Sequence, residues 1–324
     1  MDPKNIKASA ARLLDRTDGN PKRISLLYAG VATGFSLLCT LLSFLLGLAA
    51  DRATGLSGLA MRSMLESGQV VLSVAGSVLL PFWQMGFLYT ALCYSKQTAV
   101  GDSTLLEGFR RWGAVLRLNI LLAIVLTGIM MVCSYLSVIL YFLSPFSDGV
   151  DAQLNGMLEN AATATMTPEL FSAMMPHLVW LFVIMFIVLV IVGLPFYYRY
   201  RLCEFALLDD APGARAAIRQ SKRLSWNNRM GMFKLDLSFW WYYLIQILIN
   251  LIAYTDAFLP ALGVELPVSS DVAFWVCYLL SMGIQFFFIL RCGLYYQTSI
   301  AVYYNRLKES FLTPLNPPPD PTKM

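Results

Sequence analysis

Few side chains in this 324-residue chain could make or break a covalent bond. There is one histidine, His177, directly after Pro176. A single imidazole without a partner builds neither a zinc site nor a His-based triad. The six cysteines (Cys39, Cys93, Cys133, Cys203, Cys277 and Cys292) form no C-x-x-C pair, and most lie in apolar runs, where free cysteine behaves as a small hydrophobe. No H-E-x-x-H, Walker loop or G-x-S-x-G occurs, and the nearest approach, "GLSG" at 55–58, reads as a flexible loop. Two groups of residues remain. Arg215, Arg219, Lys222 and Arg223 gather on one face of a predicted helix, with Arg229 just beyond. Their chemistry is the binding of phosphate, so they are candidate contacts for anionic lipid headgroups. The other group is neutral: Gln84, Tyr243, Gln246, Asn250 and Gln285 lie within apolar runs. Tyr243, Gln246 and Asn250 share a helical face by their i, i+3, i+7 spacing. Such groups either join helices through amide bonds of ~0.6–2 kcal/mol or line a solute path. The chain is therefore expected to carry no catalytic residue, metal ligand or cofactor.

The elements that must position these residues are long and oily. The chain is 57% hydrophobic and 14% charged, with a mean hydropathy of +0.61, whereas soluble domains carry about 25% charge. Charge-free runs cover 24–50, 67–95, 118–147, 170–198, 237–255 and 272–290. Each reaches or approaches the roughly 20 residues needed to cross a bilayer core as helix, and strands in lipid would need a closed barrel with alternating faces. The expected fold is all-α: six transmembrane helices at about 24–49, 70–95, 118–143, 177–198, 235–255 and 272–302. They form a single membrane domain over 1–310, and the proline-rich 311–324 reads as a disordered tail. The first run has 27 uncharged residues, too long for the ~7–15 of a signal-peptide core, and is read as an uncleaved helix. A net charge of +4 makes no case for nucleic acid.

Cations set the orientation. Residues 1–23 hold six Lys and Arg, 96–117 four and 199–235 eight, whereas the loop at 144–176 holds none and carries Asp148, Asp151, Glu159 and Glu169. Both termini are thus expected in the cytoplasm. Arg291, about 20 residues into the last span, reaches the inner interface. Asp236 lies at the cytoplasmic start of the fifth span, beside Lys234 or another basic neighbour. Three basic segments (5–27, 103–122 and 209–229) precede outward-going spans and have the pattern of surface helices resting apolar side down on headgroups. In the third, Asp210 suits a cap, and Ala214, Ala217, Ile218, Ser221 and Leu224 form the apolar stripe. The returning spans echo one another. Leu80-Pro81-Phe82-Trp83 matches Leu194-Pro195-Phe196-Tyr197, and Gly86-Phe87-Leu88-Tyr89 matches Gly293-Leu294-Tyr295-Tyr296. Three tandem units, each a surface helix plus a hairpin, would produce this, though six-span topology alone also makes three hairpins. Pro81 and Pro195 are expected to bend their helices.

The stretches "LLEGFRRWGAVLRLNILL", "LPFYYRYRLCEFALLDDAPGARAAIRQSKRLSWNNRMGMFKLDLSFWW" and "YYQTSIAVYYNRL" resemble the domain-of-unknown-function 975 family of bacterial integral membrane proteins. The matching features are Ala217-Ile218 with Ser221, Asn227-Asn228, Leu237-Ser238-Phe239 and Tyr303-Tyr304-Asn305, and the resemblance spans roughly 104–310. A more distant similarity is to the membrane domain of some glycerophosphodiester phosphodiesterases. The resemblance implies a helical bundle in the bacterial cytoplasmic membrane and supplies no catalytic residues. The expected role is membrane scaffold, assembly or lipid binding, with anionic lipids and a protein partner or second copy as partners. The alternative is a component of a transporter or channel for a lipid or small solute.

Overall fold

The computed structural model of the chain describes residues 2–17, 19–52, 55–147, 168–255 and 270–312, all of it helix and turn with no strand among them. Asp148, Asp151 and Glu159 of the acidic loop and nearly all of the expected disordered tail lie outside the described residues. Helix α1 (Pro3–Arg16) is capped by Asp2, whose Oδ1 accepts the Lys4 N–H at 3.1 Å. Helix α2 (Pro21–Asp51) is capped by Asn20 in the same way, and both have proline in the first turn. There follow α3 (Gly55–Lys96), a 3₁₀ turn (Asp102–Leu106), α4 (Glu107–Arg110), α5 (Trp112–Phe142), a second 3₁₀ turn (Pro145–Ser147), α6 (Pro168–Val188), a π-turn (Leu189–Gly193) and α7 (Leu194–Tyr200). The rest are α8 (Cys203–Asp209), α9 (Ala214–Ser225), α10 (Arg229–Ser238), α11 (Trp240–Ala253), α12 (Ser270–Phe288), a second π-turn (Ile289–Gly293) and α13 (Leu294–Leu312). "GLSG" is not a loop: it begins α3.

Five helical stretches are long and apolar enough to cross a membrane: Pro21–Ala50, Ala60–Lys96, Trp112–Phe142, Met175–Asp209 and Val272–Phe311. A sixth is reached if α10 and α11, bent by 65° at Phe239, count as one span. The continuous span expected over 235–255 is therefore broken. No proline breaks it. Phe239 is fully buried, its ring faces Tyr295 and Tyr296, and the Lys7 ammonium lies 4.3 Å from the ring centroid. Lys7 Nζ also donates to the Ser238 carbonyl at 2.8 Å, a cation at a helix C-terminus. Alone, the 14 residues of α11 reach only ~21 Å.

The fourth and sixth spans each contain a π-turn ending in a buried glycine, Gly193 and Gly293. In the fourth, Pro195 stands in the first turn of α7 directly after the π-turn, and the stretch still reads as one span. The sixth has no proline there, so the shared feature is the glycine.

The chain divides into two compact units, Met1–Leu118 with Leu202–Met324, and Asn119–Arg201. In the first, Gly86 of α3 lies so close to the Leu105 backbone, and Gly108 so close to the Phe82 carbonyl, that a Cβ at either would collide. The core gathers at the ends of α3, α8 and α13, around Leu88, Leu92, Tyr94, Phe205, Leu207, Tyr303 and Tyr304. In the second unit, Phe146 stacks on Trp180 at 3.9 Å and Ser137 Oγ bonds the Cys133 carbonyl at 2.6 Å. Away from these cores the long helices expose apolar side chains, among them Leu45, Val71, Ile124, Phe186, Ile247 and Phe287. Bare apolar surface of this extent marks contact with lipid or protein.

Candidate functional site

The basic face stands on α9. Gly213 precedes it in extended conformation without a side-chain cap. Asp210 does not cap; it pairs with Lys308 instead. Ala214, Ala217, Ser221, Leu224 and Ser225 are buried, with α9 packed on α8 and α13. The stripe expected to face headgroups is thus covered by protein, and α1 likewise buries Ile6 and Ala10 against its neighbours. Arg215, Arg219 and Arg223 point outward, and none of them has a hydrogen bond or ion pair among the described residues. They sit at i, i+4 and i+8, where like charges on a helix repel. Lys222 is half-buried, and Arg229, in the first turn of α10, lies 5.6 Å from the Trp226 ring.

Beneath this face is a polar cluster that sequence reasoning missed. Asp209 ends α8, past the length of chain that a 30 Å core requires, and its side chain is only 1% exposed. It pairs with Lys96 at the end of α3 and accepts from Lys308 Nζ of α13 at 2.7 Å and from Tyr304 Oη at 3.1 Å. Gln220 of α9 donates to the same tyrosine hydroxyl at 3.3 Å. The three returning helices are thus tied together at one point. Residues 96, 209 and 308 are too far apart in sequence for any spacing rule to connect them.

The neutral polar residues differ in exposure and in partners. Gln84 and Asn250 are exposed, and Asn250 Nδ2 donates to its own helix at the Gln246 carbonyl, 2.7 Å away. Gln246 and Gln285 are half-buried, and Gln285 Oε1 is buried without a hydrogen-bond partner among the described residues. Tyr243 belongs to a different group: its hydroxyl meets Tyr296 Oη at 2.6 Å, which in turn donates to Asp236 Oδ1 at 3.2 Å. Asp236 is 7% exposed, and this tyrosine hydroxyl bonds it where a basic neighbour was expected. His177 Nδ1 lies 2.8 Å from Tyr141 Oη and 3.1 Å from the Phe146 carbonyl, a contact that ties helix ends together within the second unit. Among the described residues no three His, Cys, Asp or Glu side chains group as a metal site.

A family described as "Protein of unknown function (DUF975)" matches residues 23–310. No curated protein and no solved structure matches the chain.

Proposed function

We propose that this chain, which belongs to the DUF975 family of proteins of unknown function, is a multi-pass protein of the bacterial cytoplasmic membrane that gathers anionic lipid on the basic face of α9, in a scaffold or assembly role rather than as an enzyme. The observation that carries this reading is the trio Arg215, Arg219 and Arg223: exposed, mutually repelling and without acidic partners among the described residues. A helix whose apolar side is anchored to a protein core holds these charges in place, and an anionic headgroup layer relieves their repulsion. Each cation near such a surface contributes about 1 kcal/mol, so three amount to roughly a hundredfold in affinity. Cation placement supports both termini in the cytoplasm, which puts α9 on the inner leaflet, where a protein partner or second copy would assemble around the gathered lipid. A second reading, a component of a transporter for a lipid or small solute, draws on the unpartnered Gln285 Oε1.

The test is thermal unfolding of the purified full chain during titration with phosphatidylglycerol or phosphatidylcholine. Stabilisation by phosphatidylglycerol is expected to exceed that by phosphatidylcholine. The excess should disappear when Arg215, Arg219 and Arg223 are all changed to glutamine. Equal stabilisation by the two lipids, or an unchanged excess in the triple variant, would remove the proposal.

A further inference from the structure

Apart from α9, the contact between α11 and α12 forms an apolar recess. The two helices leave a cleft of about 460 Å³ between them, within the 300–1,000 Å³ typical of ligand sites. Its walls are hydrocarbon: Ile249 and Ile252 from α11, Ile284 and Phe287 from α12. One end is lined by the ring of Trp241 and the aliphatic stem of Arg291 of the π-turn, whose guanidinium lies outside the oily lining. From Trp241 to Ile252 the wall rises ~16 Å, about half of the ~30 Å hydrocarbon core and so the depth of one leaflet.

Arg291 is the one charged residue between Asp271 and Arg306. It is exposed, and no hydrogen bond or ion pair to it occurs among the described residues. A guanidinium at the edge of hydrocarbon requires an anion or the headgroup layer, and its planar donor fork suits phosphate oxygens. Trp241 belongs at the same depth, where indoles gather at membrane interfaces. The π-turn sets the Arg291 stem and Cys292 along the cleft, with the guanidinium at its rim, just where the helix leaves regular geometry, and such turns recur at functional sites.

We infer that this cleft holds one glycerophospholipid, an acyl chain lying along Ile249, Ile252 and Ile284 and its phosphate bound by Arg291. Charge selects this occupant over a second copy of the chain. An oily column with an exposed cation at its rim complements an amphiphile with an anionic head, whereas an apolar helix from another copy would leave that cation without a counter-ion. The inference shares the bilayer with the proposed function but does not depend on the α9 arginines.

Native mass spectrometry of the purified full chain during stepwise delipidation tests it. The wild type is expected to keep one phospholipid after the bulk lipid is gone. Arg291→Gln should lower that retention about tenfold, the scale of a lost charge-assisted bond, and Arg291→Lys should restore part of it. Ile249→Trp, which fills the cleft and leaves the cation, should abolish retention. Because it does not touch Arg291, it keeps the inference open to refutation even if the arginine variants fail to fold. Removing the three α9 arginines should leave the bound lipid in place, which separates failure here from failure of the proposed function. Retention unchanged in Arg291→Gln or in Ile249→Trp, release by millimolar inorganic phosphate alone, or a retained mass equal to a second chain would each overturn it.

Discussion

Replacing Asp209 by asparagine keeps the shape of the side chain and removes the charge that joins three helix ends. Asp209 is 1% exposed, while Lys96 and Lys308 are 38% and 23% exposed. Each charge-assisted bond contributes about 1.5–3 kcal/mol when shielded from water. The lysines are partly hydrated and recover some solvation when released, so the discounted loss is about 2–4 kcal/mol. Asp210, 59% exposed, provides the internal control: Asp210→Asn should cost less than about 1 kcal/mol. At ~2–4 °C per kcal/mol for a protein of this size class, the two variants should differ in Tm by several degrees. Cys93 and Cys203 are buried on the helices that the cluster joins, so a thiol-reactive dye added during heating reports their separation. A double-mutant cycle with Lys308→Met should be non-additive. If Asp209→Asn and Asp210→Asn melt within about 0.5 kcal/mol of each other, or if the cycle is additive, the cluster does not hold the helix ends together.

Gly86→Ala should destabilise by about 1–3 kcal/mol, because its Cβ would strike the Leu105 backbone; Gly76→Ala in the same helix, with open space around it, should be neutral or slightly stabilising in the same melt. Lys7→Met removes both the cap on the Ser238 carbonyl and the cation over Phe239 and should cost about 1–3 kcal/mol by thermal unfolding. A reporter that is active only in the cytoplasm, fused to the C-terminus, should be active; an inactive but stable fusion would invert the assigned orientation.

The spans were legible because a charge-free run near twenty residues is a statement about solvent, and solvent acts on each residue where it stands. The break at Phe239 was not, since the Lys7 ammonium that meets it comes from the far end of the chain. Periodicity in α9 identified which residues would be buried, Ala217, Ser221 and Leu224 among them. It could not say what would cover them, because protein and lipid select the same stripe. The arginines opposite were legible for the same reason in reverse. Asp209 gave no local sign at all: its importance lies in partners 113 and 99 positions away. Wording linked Gly293 to Gly86, and backbone geometry adds a second likeness that wording did not show, since Gly293 and Gly193 each close a π-turn.

Those two turns change which way the helices face. A residue added to a helix without lengthening its ladder rotates everything after it by roughly 100°. Before the second turn, Val276, Leu279, Leu280 and Phe287 look outward; after it, Ile300, Ala301, Tyr303 and Tyr304 are all enclosed. A single rod thus serves two surroundings, oily on one stretch and proteinaceous on the next, with the phase between them set at Gly293. Forcing 289–293 into regular α-helix with every residue kept would swing Tyr304 off the lysine–aspartate junction by roughly 100°, whereas deleting one residue there would straighten the ladder and leave the tyrosine in place.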